Sequence, residues 1–331
     1  MQKLPSPFVQ GVDRCLRRWQ ARSPPNCICE PIECEGAEAI DATLLVATAS
    51  GLVVLNDGVA FRILGGSFFG LTVVEQRWYA FRKLSPHSGQ IISFELENLV
   101  IQNLRTELVG LSSRIHQIDA YAGKLYVTDT ENNRLLVFAL TKEKLRQSQR
   151  VYPAGRASGR NDPNYVHLNS VLVCDERIYL MYHNLSRETG RNSKIAVLNH
   201  AFELQDTITL DARCAQNIAF WRKGLLCCSS LDGSLIVEGE PMALGNWSRG
   251  IALFGDTCVV GGSEYAKRRA RICGDGFLYH CQLSRRRVLS QTILKSVGSI
   301  FELRSIDPVD FSISENIRRR ESLTADRLSN R

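Results

Sequence analysis

The chain has 331 residues, 44% of them hydrophobic, and a formal net charge of +7. That length usually implies two domains, although repeat architectures of the same size form one, and no stretch approaches the ~18 apolar residues that span a bilayer. The charge sits at the ends: residues 1–22 carry a net +4 and residues 318–331 a net +3, which leaves the body near neutral. A nucleic-acid binder would place its basic stripe on the folded surface, so this distribution argues against nucleic acid as a partner.

Residues 1–26 form a basic N-terminal extension in which the spacing of apolar positions predicts an amphipathic helix over Phe8–Gln20, stopped at Ser23-Pro24-Pro25. It has no apolar run of signal-peptide length. The 11 cysteines read as small buried hydrophobes in a reducing compartment, with Cys227, Cys228 and Cys258 in inner strands. The expectation is a cytoplasmic protein without a membrane partner. Cys27-x-Cys29-x4-Cys34 brings three thiols together without a clear fourth ligand, which reads as structure rather than metal.

A strand pattern then recurs. The clearest unit is Ile115–Phe138, where the apolar runs Ile118–Tyr121, Leu125–Thr128 and Leu135–Phe138 are separated by Ala122-Gly123-Lys124 and by the polar turn Asp129–Asn133. Short alternating strands joined by Gly, Asn and Asp turns make an antiparallel meander, and a meander needs neighbours to cover its apolar faces. Equivalent second strands start at Leu44, Trp78, Leu125, Ile178, Leu225 and Cys258, 33 to 53 residues apart. Third strands follow at Gly51–Leu55, Ile91–Phe94, Leu135–Phe138, Lys194–Leu198, Leu235–Val237 and Phe277–Cys281, and weaker fourth strands at Ala60–Leu64, Val100–Leu104, Arg150–Tyr152, Gln205–Leu210 and Val288–Leu294.

Helical periodicity is nearly absent between residues 40 and 310. Six such sheets with only each other for cover predict an all-β, six-bladed β-propeller over residues 27–310. Either the strand near Ile28–Cys34 or the run Ser299–Ser305 completes the incomplete first or last blade. Residues 311–331, with Arg318-Arg319-Arg320, read as a basic, solvated C-terminal tail that is helical or disordered from Glu315 onwards.

The run Gly123–Phe138, GKLYVTDTENNRLLVF, resembles the NHL-type propeller repeat in its apolar strand, Asp-Thr, Asn-Asn-Arg and following apolar strand. Together with His167-Leu-Asn169-Ser, Tyr182-His183-Asn184, Arg249-Gly-Ile and Gly261-Gly-Ser-Glu264, it makes the chain similar to an uncharacterised bacterial family of six-bladed propellers near the NHL and gluconolactonase-like superfamilies. The gluconolactonase-like resemblance implies a divalent cation among carboxylate and amide oxygens, a set that Glu35, Asn169 and Asn217 could imitate. A second carboxylate is missing from the equivalent position and Arg249 opposes a bare cation, so whether a metal is used stays open at this point.

In a propeller, each innermost strand starts on the face that carries the loop between the second and third strands. Counting back nine positions from each second-strand marker lands on Glu35, Phe69, His116, Asn169, Gln216 and Arg249, with His167 and Asn217 equally eligible. Loops on the same face carry Arg82, His87, Asp129, His183, Asn184, Ser229, Ser230, Ser263, Glu264, Arg268 and Arg271. The expected function is binding of a small anionic organic ligand at the channel mouth by Asn169, His183, Gln216, Asn217, Arg249, Arg268 and Arg271. If the protein is an enzyme, it would be a hydrolase, isomerase or lyase. His116 or His167 would be its general base, tuned by Asp129 or Glu264. Each polar group also has a structural reading: turn chemistry for Asp129, blade-to-blade ties for His116 and Asn169, a solvated loop for Ala266–Arg271. The alternative is therefore a non-catalytic scaffold that holds another protein.

Overall fold

The computed structural model describes residues 29–36, 40–141, 145–157, 159–265 and 272–319. The helix expected over Phe8–Gln20 and the candidate residues Arg268 and Arg271 lie outside these residues.

Six antiparallel sheets stand in a ring. Their innermost strands are Ile300–Asp307 (blade 1), Ser67–Val74 (blade 2), Ile115–Tyr121 (blade 3), Leu168–Cys174 (blade 4), Ala215–Trp221 (blade 5) and Trp247–Phe254 (blade 6). Each packs against the next, and blade 6 meets blade 1 again, so the fold is a six-bladed β-propeller. A separate apolar cluster fills each blade-to-blade interface; Tyr126, Val137, Val171 and Leu180, for example, join blades 3 and 4. Inner strands are apolar on both faces because both are covered, which is why the Val, Leu and Ile runs hardly alternate there.

The second strands are those expected, from Thr43–Thr48 to Thr257–Ser263. Ala122 and Gly123 take positive φ (49° and 72°) in the hairpin of blade 3, as a two-residue turn between right-twisted strands requires. The fourth strand of blade 5, Glu240–Ala243, has no counterpart in the sequence reading; it is short and carries Pro241 at the sheet edge.

Ring closure uses both candidate segments. The C-terminal strand Ile300–Asp307 pairs with Thr43–Thr48 as the innermost strand of blade 1. The N-terminal segment adds a fifth strand to two outer edges, Glu30–Ile32 on blade 1 and Cys34–Glu35 on blade 6. Two sequence-distant ends thus clasp the same seam. This overturns the placement of Glu35 in the axial ring: its carboxylate sits on an outer edge, 3.1 Å from Lys295 Nζ.

Nor is the described part of the C-terminal tail an appendage. Asp310, Ser312, Ile313, Ser314 and Glu315 are buried, and residues 314–319 form a short helix. Asp310 accepts the backbone N–H groups of Leu253 and Ser305, Ser312 Oγ donates to Ile251 O, and Ser314 Oγ accepts from Val173 N. Glu315 accepts from Ala122 N. The segment therefore stoppers one end of the channel by hydrogen bonds to blades 1, 3, 4 and 6.

Cys214, Cys227, Cys228, Cys258 and Cys281 are buried, whereas Cys273 is exposed. Burial pushes the Cys214 thiol up to about 11 and that of Cys227 up to about 12, so the nucleophilic thiolate is scarce as well as inaccessible. With a disulfide reagent at pH 8, Cys273→Ser is expected to lose one equivalent of the fast-reacting thiol of the native protein, and Cys227→Ser none. A loss in the second variant would contradict this packing.

Candidate functional site

Every innermost strand carries a β-bulge at the same height. The register shifts between Ile300 and Glu302, Phe68 and Leu71, Ile115 and Ile118, Leu168 and Ser170, Gln216 and Ile218, and Ser248 and Ile251. A bulge turns its extra residue out of the ladder and re-aims it. Phe301, Phe69, His116, Asn169 and Arg249 are left unpaired in this way, and at the equivalent position of blade 5 Gln216 stays paired with Cys228 while Asn217 leaves the ladder. The nine-residue count holds for five because the bulge recurs; in blade 1 Phe301 takes the place predicted for Glu35.

The bulges also strand backbone N–H groups, and the next residue of the neighbouring blade supplies their acceptors. Gln117 Oε1 accepts from Val171 N at 2.9 Å, Ser170 Oγ from Asn217 N at 2.9 Å, and Asn217 Oδ1 from Gly250 N at 2.7 Å. Two members of this layer are glycines because backbone passes close by. A Cβ on Gly70 would stand 2.4 Å from Ile118 N, and one on Gly250, with φ at 79°, 2.8 Å from Leu303 N. Asn217, expected to face a ligand, also donates to both carboxylate oxygens of Glu302 at 3.1 and 3.0 Å. It belongs to the axial framework.

Below this layer lies a buried charge group. Arg304 is 1% exposed; it donates to Leu71 O at 3.1 Å, Ile251 O at 3.0 Å and Ser312 Oγ at 3.2 Å, and pairs with Glu302 at 3.2 Å. Asp119 and Asp310 are also fully buried near it. Burial raises the pKa of all three acids, Glu302 to about 7, against the lowering pull of Arg304. Three carboxylates sharing one guanidinium cannot all ionise at neutral pH without a net buried negative charge.

The open end is different in kind. His116, His167 and His183 stand in a row, with ring centroids 5.1 and 4.4 Å apart. The Tyr165 hydroxyl lies 3.2 Å from His167 Nδ1. Arg249 is largely buried, with the Trp247 and Phe301 rings each 5.7 Å from its guanidinium carbon and the Gln216 amide oxygen accepting from Nη2 at 2.9 Å. Phe301 stacks on Phe69 at 4.1 Å, and Phe69 on His116 at 6.3 Å. Burial pushes the His183 pKa down to about 3, with the charges of Arg249 and Arg160 adding to it. Part of His167 reaches solvent, yet its ring sits deep among neighbours, and burial followed by His183, His116 and the arginines holds it well below the usual histidine range. Both rings are neutral bases at pH 7.

The structure thus gathers His116, His167, His183, Asn169, Gln216 and Arg249 at one mouth, and Glu264 lies in the wall of the recess beside Arg249. That recess measures about 10 Å3, the room of a single water. Asn169 Nδ2 donates to Ala215 O at 2.9 Å and its Oδ1 is buried without a donor. Asp129 stands apart: it accepts from Asn132 Nδ2 and from Arg134 Nε at 2.8 Å, as turn chemistry demands. Ser230 and Ser263, expected in loops near the mouth, tie blades together through Ser248 O and Ile300 N. Among the described residues, no group of three or more His, Cys, Asp or Glu side chains is arranged to hold a metal ion, and no helix is long and apolar enough to cross a membrane.

The sequence reading missed Glu302, Arg304, Asp119 and Asp310, together with the aromatic members Trp247, Tyr265 and Phe301. One signal was available: Glu302 and Arg304 stand two apart beside the apolar Ile300, Phe301 and Leu303 of the strand Ile300–Asp307, where charges imply a buried pair.

No protein-family model matches the chain, and no curated protein matches it. Solved structures do. A chain of a nidogen/laminin complex has a TM-score of 0.57 at 12% identity, covering 83% of this chain and 99% of that one. A protein from Lactobacillus plantarum has a TM-score of 0.54 at 12% identity, covering 85% and 100%. A "putative 6-phosphogluconolactonase" from Bacteroides fragilis has a TM-score of 0.51 at 11% identity, covering 80% and 98%. At such identities the likeness is one of fold.

Proposed function

We propose that the open mouth of the propeller binds a small organic anion. The observation that carries this reading is the guanidinium at the rim: Arg249 is largely buried between the Trp247 and Phe301 rings, on the face where His116, His167 and His183 stand in a row. An anion placed there would interact favourably with Arg249, accept a hydrogen bond from an imidazole N–H, and lift the histidine pKa values by compensating the arginine charge. His183 Nδ1 is buried without a hydrogen-bond partner, which leaves one such group uncommitted. As neutral bases, His167 and His183 could also accept a proton from a bound substrate, which is how a hydrolytic or isomerising activity would arise on this frame.

The narrowness of the recess favours a second reading, in which the mouth residues only lock the blades and the loops hold a protein partner. Calorimetric titration with inorganic phosphate, pyruvate and citrate separates the two. On the first reading at least one of these acids binds, and Arg249→Gln weakens it roughly tenfold or more, as loss of a charged hydrogen bond implies. Silence from all three acids would favour the scaffold.

A further inference from the structure

Trp247 and Tyr265 wall not only the axial recess but also a wider hollow on the same face, of about 370 Å3, together with Arg187, Asp232 and Asn246. This volume lies in the range of small-molecule sites. The two rings stand 5.3 Å apart at 40°, and Tyr265 is 54% exposed. A guanidinium flanks each: Arg187 lies 5.0 Å from the Tyr265 ring and Arg249 5.7 Å from that of Trp247. The indole Nε1 of Trp247 is buried without an acceptor.

We infer that this hollow takes the flat body of an aromatic acid, whose anionic group reaches the Arg249 rim. The inference rests on the reading of the mouth as an anion site and adds the class of ligand. An aromatic pair flanked by two guanidinium groups repels cationic ligands and offers a stacking platform to a planar, electron-rich one. Polarity fixes the orientation. On the far wall the Asp232 carboxylate, held by Arg213 and Ser229 Oγ, repels an anion. The acid group therefore turns inward to Arg249 and the histidines, and an acceptor on the flat body meets the Trp247 N–H.

Two probe pairs test this by calorimetry: adenosine 5′-monophosphate against ribose 5-phosphate, and phenylpyruvate against pyruvate. Within at least one pair the aromatic member is expected to bind about tenfold tighter, the scale of one stacking contact. Tyr265→Ala is expected to erase that difference, bringing the aromatic member down to the affinity of its non-aromatic partner. Equal affinities within both pairs, or a preference that survives in Tyr265→Ala, overturn the inference and leave the anion site standing. Failure of all four probes to bind overturns both. Because Tyr265 is exposed, the alanine variant keeps the core intact, and an unchanged melting temperature verifies this.

Discussion

Arg304→Met is expected to destabilise the protein by roughly 3–5 kcal/mol, the cost of removing one partner from a buried ion pair. The reason lies in what the guanidinium holds. It sits on the innermost strand of blade 1, the blade closed by the two ends of the chain, and donates to carbonyls of blade 2 (Leu71) and blade 6 (Ile251). It also reaches the C-terminal stopper at Ser312. Methionine keeps most of the volume but leaves two carbonyls without this donor and Glu302, Asp119 and Asp310 without their common counter-charge. Denaturant titration measures the loss as a fall in midpoint at constant slope. Adding Glu302→Gln to Arg304→Met is expected to recover part of it, since one stranded carboxylate disappears. A single-variant loss below about 1 kcal/mol, the worth of an ordinary hydrogen bond, would show that the buried charge group does not hold the seam.

The sequence made this propeller legible where local chemistry and global fold agree. Gly123, Asn132 and Asn133 mark turns that any such hairpin needs, and the second strands follow from apolar runs between them. The mouth residues His116, Asn169, Gln216 and Arg249 were countable because six bulges keep one height. What the count could not supply was closure. It treats the chain as beginning at blade 1, whereas Ile300–Asp307 returns from the far end of the chain to that blade, with the entropic cost of closing a long loop; hence Glu35 was placed where Phe301 stands. The axial charge group was hidden for a related reason. Asp119 is remote in sequence from the cluster of Glu302, Arg304 and Asp310, and Asp119 and Asp310 each read singly as surface residues. Only the axis makes them neighbours. The aromatic wall of the hollow was illegible because Trp247 and Tyr265 come from the two ends of one hairpin, and neither breaks a strand pattern.

The pH dependence of stability is expected to carry two opposite slopes, separable by two substitutions. Glu302 has its folded pKa raised from 4.5 to about 7 by burial. Its contribution to stability is therefore full below pH 4.5 and is lost as pH rises through 7. His183 has its folded pKa lowered from 6.5 to about 3, again by burial. The unfolded chain takes up that proton first, so stability falls as pH drops below 6.5. Between pH 4.5 and 8 the stability of the parent protein relative to Glu302→Gln is thus expected to fall by about 3 kcal/mol, at ~1.4 kcal/mol per pKa unit. Relative to His183→Gln it is expected to rise by a similar amount, about 3 kcal/mol, nearly all of it below pH 6.5. The readout is the slope of each difference and not the absolute stability of either variant, since glutamine perturbs local hydrogen bonds at both positions. Differences that stay flat with pH would mean that Glu302 is ionised throughout and that His183 titrates as an exposed histidine does. In that case the axis would hold its charges in another balance.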